Sequence, residues 1–345
     1  MTLLRIGITQ GDINGIGYEM LIKVLQEPEM LEVCTPVIFG CSHILQSTAQ
    51  HLGIDTPPLH IISQADHAID GHINLVEVCT DAVPELQFGQ QTEAALQAEA
   101  QSLTAALQAY SHRSIDLLIT LPGHLDNDDQ SHALTDFIRQ AYGSPADAFH
   151  WYCNGPLRAM HMPKIDVSTQ LGEGLASEAF QRQVTTISHC LRQDFGDLRP
   201  RLAVITRDPR LHNDILELRQ QGILVFGPFA ANEFVEEQRY THYDGCIFMG
   251  EGESLQGMFS LADADFTYGY VSGLPLVLAY PIAGISYDIA GLGQANAIPL
   301  RQAIFAAIDI QRTRQSHLRA TRHPLEKQWI PRGRDDFKLD LTKEE

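Results

Sequence analysis

Short apolar runs recur along the chain and alternate with longer stretches of helical pattern. Leu3–Thr9, Pro36–Phe39, His60–Ile62, Asn74–Val78, Leu117–Thr120, Leu202–Ile205, Ile223–Phe226, Cys246–Met249 and Leu276–Ala279 are each mostly apolar and short. Runs of that length predict buried strands. Thr92–Tyr110 is rich in Ala, Gln and Leu and holds no Gly or Pro, which predicts a long helix. Leu175–Asp194 reads as a second helix with Ser177 as a candidate N-cap, and Leu300–Arg312 as a third. Strands alternating with helices predict an α/β sheet covered by helices on both faces. Thr313–Glu345 is highly charged and poor in aliphatic residues, so it should begin as helix and end as a frayed tail.

One segment departs from this alternation. Ile6-Gly-Ile-Thr-Gln-Gly-Asp-Ile-Asn-Gly-Ile-Gly-Tyr-Glu19 is an apolar run, then glycines at 7, 11, 15 and 17, then an amphipathic run through Leu25. The pattern predicts a strand, a tight glycine turn and a helix. Glycine permits positive φ and lets a ligand approach the backbone. The spacing is not G-x-G-x-x-G, so the dinucleotide fingerprint is absent. Either the glycines meet a ligand or they serve only the turn.

Composition narrows the class. A chain of 345 residues with 44% apolar content can bury a large core and is long enough for two lobes. Six cysteines, at 34, 41, 79, 153, 190 and 246, show no C-x-x-C spacing, which predicts reduced and mostly buried thiols rather than disulfides or a zinc site. The N-terminus runs straight into strand pattern, and no apolar stretch reaches membrane-spanning length. The expected location is the cytoplasm. A formal net charge of −19 argues against nucleic acid or an anionic membrane as partner. An anionic substrate would need a local basic pocket.

The glycine segment resembles the opening of the PdxA family, the 4-hydroxythreonine-4-phosphate dehydrogenases of pyridoxal phosphate biosynthesis. The resemblance continues through Cys34-Thr-Pro-Val-Ile-Phe-Gly40, Asp116-Leu-Leu-Ile-Thr-Leu-Pro122, Arg199-Pro-Arg-Leu-Ala-Val204, Gly227-Pro-Phe229, Gly273-Leu-Pro275 and Asp288-Ile-Ala-Gly291. It implies a two-lobed α/β/α sandwich similar to the isocitrate and isopropylmalate dehydrogenases. The first lobe would take residues 1–140 with about 298–318, the second 141–297 with the interface of a homodimer, and 319–345 would form the tail. It also implies NAD as cofactor, a divalent metal that polarises the substrate hydroxyl, and a small phosphorylated metabolite as substrate.

Against that resemblance the site positions have changed. Of the family's three metal histidines, the first matches His161 in His161-Met-Pro-Lys164. The second is replaced by Arg210 in Asp208-Pro209-Arg210, and the third by Glu251 in Gly250-Glu251-Gly252-Glu253. A guanidinium at that place repels a divalent ion, so no tightly held metal is expected. The alternative is a rebuilt set of His161, His212 and Glu251, two imidazoles and a carboxylate. At the substrate positions the family histidine becomes Leu134, while Thr135 and Asp136 remain candidate substrate contacts. Thr120-Leu-Pro-Gly-His-Leu125 lacks the family's Asn and Lys, and a family arginine aligns with Leu278. Fixed cations recognise phosphate and carboxylate best, so their joint loss predicts little oxidation of the family's substrate. Asp12 and Asp288 survive as polar exceptions, with Asp288 either capping a helix or lining the nucleotide cleft. His60, His67 and His72 lack metal spacing and read as surface. Two functions therefore stand: an NAD-dependent dehydrogenase of the PdxA type, or an inactive or redirected paralogue that binds a ligand or regulates.

Overall fold

The computed structural model describes residues 3–79, 84–124, 138, 148–162, 173–250, 255 and 264–322. Every strand expected from an apolar run is present. These are β1 (Leu4–Thr9), β2 (Cys34–Gly40), β3 (Leu59–Ile62), β4 (Ile73–Glu77), β5 (Leu117–Ile119), β8 (Leu202–Ile205), β9 (Val225–Phe229), β10 (Gly245–Met249) and β12 (Leu278–Pro281). Three others had no aliphatic run to mark them: β6 (Phe149–Asn154), β7 (Leu157–Met162) and β11 (Tyr268–Ser272). β6 and β7 mix His, Arg and Asn with aromatic and sulfur residues, and β6 alternates buried with half-buried positions. That is the signature of an antiparallel ribbon rather than a strand buried on both faces.

All twelve strands join one sheet in the order β3-β4-β2-β1-β5-β12-β11-β6-β7-β10-β8-β9. Pairing is parallel except at β12–β11, β11–β6 and β6–β7. Three reversals in succession leave β7, β10, β8 and β9 running opposite to β1, β2, β4, β5 and β12. In the parallel parts alternate residues enter different cores. Ile38, Leu117 and Ile119 join one cluster, while Val37, Phe39 and Leu118 join the cluster on the other face. In the second half Val204 and Ile247 separate in the same way from Ala203 and Phe248. Both faces are therefore covered, as parallel sheets require.

The α-helices with bounds among the described residues are α1 (Gly17–Leu25), α2 (Met30–Val33), α3 (Ser42–Leu52), α4 (Glu93–Ser111), α5 (Glu173–Asp194), α6 (Leu211–Gln220), α7 (Ala231–Glu236) and α8 (Ile298–Arg322). Thr92 caps α4 by accepting from the Ala95 N–H at 3.2 Å. Ser177 is not a cap. It lies inside α5, and its hydroxyl donates to the Asp214 carboxylate of α6. Glu173 already starts the helix, so the cap preference was outbid by a tertiary partner. α8 runs on through Arg322, and the rest of the expected tail lies outside the described residues.

The length of α8 has a physical cause at Arg314, which is only 7% exposed. Its Nε donates to Asp194 Oδ1 at 2.8 Å, at the end of α5, and its Nη2 donates to the Tyr270 hydroxyl of β11 at 2.9 Å. Tyr270 in turn donates to Asp194 Oδ2 at 2.5 Å. Arg314→Met leaves the Asp194 carboxylate buried and unpaired, and loss of one partner from such a pair costs about 3–5 kcal/mol. A urea unfolding curve should show that loss. The exposed pair between Arg201 and Asp244, broken by Arg201→Met, should show no more than about 1 kcal/mol.

Candidate active site

The glycine turn between β1 and α1 is closed by protein. A Cβ on Gly11, whose φ is +59°, would lie 2.4 Å from the Pro122 carbonyl oxygen, and one on Gly15 would lie 2.7 Å from an Ile285 side chain carbon. These contacts show that the glycines admit neighbouring chain. They leave no open cradle for a pyrophosphate, so the structural alternative holds for this turn.

The polar residues of the turn act as a hub. Asp12 Oδ1 accepts from the Asn14 N–H at 2.8 Å, an Asx turn. Asn14 Oδ1 accepts from the Gln87 N–H at 2.7 Å, and its Nδ2 donates to the Gln90 carbonyl at 2.9 Å. Glu19 Oε1 accepts from Lys23 Nζ at 2.7 Å and from the Ala295 N–H at 2.7 Å. The hub thus fixes both the start of α4 and the segment 287–295.

Around the second carboxylate oxygen of Asp12 three chain segments meet. His124 Nε2 lies 2.9 Å from Asp12 Oδ2 and 2.9 Å from the Tyr287 hydroxyl. Tyr287 donates to the same Asp12 oxygen. The His124 backbone N–H donates to Glu99 Oε2 at 3.1 Å. Gly123 permits this approach, since a Cβ there would lie 2.2 Å from Glu99 Oε1. The three side chains follow β1, β5 and β12, which are adjacent and parallel, so they gather at one carboxyl edge. Asp12 is 0% exposed, whereas the His124 side chain is 15% exposed.

This geometry fixes the imidazole. With Tyr287 donating to Asp12, a neutral His124 carries its proton on Nε2 and donates it into the pair of oxygens. Its Nδ1 has no hydrogen-bond partner among the described residues and is left as a lone-pair acceptor. A buried carboxylate behind an imidazole steadies the cation formed when that lone pair takes a proton. Burial, and then the hydrogen bond and charge of Asp12, push the Tyr287 phenol well above its ordinary value. It stays protonated and acts as a donor.

Of the positions expected from the family motifs, His161, His212, Arg210 and Asp288 fall among the described residues. His161 is exposed on β7, in register with Phe248 of β10, and partial desolvation lowers its pKa. His212 is exposed in the first turn of α6. Arg210 pairs with its neighbour Asp208, Nη2 to Oδ2 at 2.6 Å. Among the described residues no group of three His, Cys, Asp or Glu donor atoms gathers at His161. Glu251, Thr135 and Asp136 lie outside the described residues. Asp288 caps no helix, being exposed in a run of turns well before α8 starts at Ile298. His124 and Tyr287 were missed in the sequence. Only knowledge that β1, β5 and β12 are neighbours would have joined them to Asp12.

A sheet with helices on both faces, and acid–base residues collected at strand carboxyl ends, has its polar chemistry where open α/β sheets bind small ligands. The sequence profile described as pyridoxal phosphate biosynthetic protein PdxA matches residues 32–307. The 4-hydroxythreonine-4-phosphate dehydrogenase of Bacteroides thetaiotaomicron is 32% identical over 98% of this chain and 97% of its own. The Erythrobacter litoralis protein of the same name is 27% identical over 84% of this chain and 92% of its own. The chain belongs to the PdxA family. A 4-hydroxythreonine-4-phosphate dehydrogenase structure from Klebsiella pneumoniae superposes with a TM-score of 0.69 at 20% identity, covering 90% of this chain and all of that one, and shares the fold.

The tyrosine gives a pH test. Its raised folded-state pKa contributes stability that is fully present below the ordinary phenol value of about 10 and is lost as pH rises through the folded-state value. Asp12→Asn leaves the burial but removes the carboxylate's own contribution, so Tyr287 should ionise at lower pH than in the unchanged protein. Ultraviolet titration of tyrosinate in Asp12→Asn, with Asp12→Asn/Tyr287→Phe as the blank, checks the direction.

Proposed function

We propose that this chain is a redirected PdxA-type oxidoreductase that dehydrogenates a secondary alcohol on a small phosphorylated metabolite, with NAD as acceptor. In this reading His124 Nδ1 takes the hydroxyl proton, while Asp12 and Tyr287 hold the ring and steady its charge. The observation that carries the reading is the Asp12–His124–Tyr287 group, in a chain matched end to end by a relative named as a dehydrogenase. NAD supplies the hydride acceptor of the class; the closed glycine turn offers it no phosphate cradle. This reading routes no step through a metal at His161, since Arg210 stands at a family ligand position.

A second reading, a paralogue that keeps the fold and binds a ligand without turnover, is favoured by Arg210 standing at a family metal position. One assay separates the two. NADH absorbance is followed with 4-hydroxythreonine-4-phosphate and with related phosphorylated hydroxy acids. The expected result is slow oxidation of the first and faster oxidation of another member of the panel. Activity should persist in His161→Ala and fall about 10²-fold or more in His124→Ala, the size of one general base. Turnover near one per second with 4-hydroxythreonine-4-phosphate that vanishes in His161→Ala would refute the redirected site. No NADH from any substrate, with thermal stabilisation by one of them, would leave the second reading.

A further inference from the structure

At the carboxyl ends of β2 and β4, apart from the Asp12 group, Cys41, Glu77 and Cys79 converge. One donor atom from each, two thiol sulfurs and a carboxylate oxygen, lies within 4.8 Å of the others. Cys41 is 1% exposed and Cys79 is 6% exposed. The convergence follows from the register, since Gly40 pairs with Glu77 and each cysteine follows its strand's end closely.

Three features of this cluster point to a cation. Glu77 Oε1 is buried and has no hydrogen-bond partner, and among the described residues no basic side chain pairs with Glu77. Its other oxygen is held in place, accepting from the Ser42 hydroxyl at 2.6 Å and from the Ser42 N–H at 3.1 Å. The carboxylate is thus anchored through one oxygen, and the other is buried without a partner. Cys41 immediately precedes α3, where backbone N–H groups and the helix dipole favour a thiolate. The Cys41 N–H is itself held by Gln10 Oε1 at 3.0 Å and the Tyr18 hydroxyl at 2.9 Å, so the sulfur's anchor is rigid.

We infer that Cys41, Glu77 and Cys79 form a binding site for a thiophilic divalent cation of the zinc class. Two thiolates and one carboxylate select such an ion over magnesium or calcium. Tetrahedral ligands around zinc stand about 3.5–3.8 Å apart, so thiol rotations of an ångström or less complete the set. Three protein ligands leave a fourth position for water. Binding displaces the thiol protons, so affinity should fall as pH is lowered. The site is separate from the His161 position and does not depend on the proposed reaction.

The test uses the full-length protein, stripped with chelator under reducing conditions and titrated with Co²⁺ alone. The expected result is one cobalt per chain, with a near-ultraviolet thiolate charge-transfer band and intense visible bands of tetrahedral coordination. Zinc should displace both. Cys79→Ser should abolish the charge-transfer signal, and Ser42→Ala, which removes the hydroxyl that holds Glu77 Oε2 but keeps the backbone N–H and every ligand, should weaken binding about 10–100-fold. Circular dichroism of the stripped variants separates lost ligation from lost fold. The inference is overturned if no cobalt binds, if the signal survives in Cys79→Ser, or if mass spectrometry finds Cys41 and Cys79 joined as a disulfide that excludes metal after reduction is withheld.

Discussion

A guanidinium has been taken out of water beside the centre of this sheet, and the surrounding elements are arranged to keep it paired. Arg314 reaches from α8 to Asp194 at the end of α5 and to Tyr270 on β11. Its Nη1 also donates to the Leu274 and Pro275 carbonyls, at 3.3 and 3.2 Å, in the turn before β12. Apolar residues of similar volume often serve as well as a buried pair in raw stability. What the pairing adds is direction. Only one seating of α8 satisfies every donor, and that seating lays the helix over β5, β12 and β11, where the strand direction reverses.

The same constraint reaches the candidate active site. β12 carries the chain to Tyr287, and the segment after Tyr287 is pinned back to α1 by Glu19 and Lys23. A phenol delivered by one strand, an imidazole by the next and a carboxylate by a third can meet only if those strands keep their order. The glycine segment supports this by close packing: Gly11 lets β1 and the Pro122 loop touch, and Asn14 ties in the start of α4. A motif that looks like a ligand loop is therefore the joint on which the ligand-facing groups are mounted.

Much of the scaffold could be read from the chain. Parallel strands buried on both faces give continuous aliphatic runs, and those were all found. β6 and β7 were not, because partly exposed ribbons carry mixed residues, and β11 was not because Tyr-Gly-Tyr-Val-Ser, though buried, holds a single aliphatic residue. Ser177 misled because a good capping residue is also a good hydrogen-bond donor to a neighbouring helix. The retained histidine at 161 was visible, and so was the arginine at 210. The Asp12 group and the Cys41–Glu77–Cys79 cluster were not, since both are made by strands adjacent in space and distant in sequence. The absence of a C-x-x-C spacing was read as arguing against a zinc-type site, but spacing reports only local pairs, and register brings these thiols together.

The reversal at the centre of the sheet also sets an order of events during synthesis. β5 ends at Ile119, but the strand that pairs with its free side, β12, does not begin until Leu278. At about 5–20 residues per second that interval is on the order of ten seconds or longer. Throughout it the first half of the sheet can fold around β1, β2 and β4 with one apolar edge open to any strand that passes. The outer edge of β6 must likewise wait for β11. The final turns of α8 then arrive to lock strands made long before them. For a nascent chain on the ribosome, the most vulnerable surface of this fold is its middle.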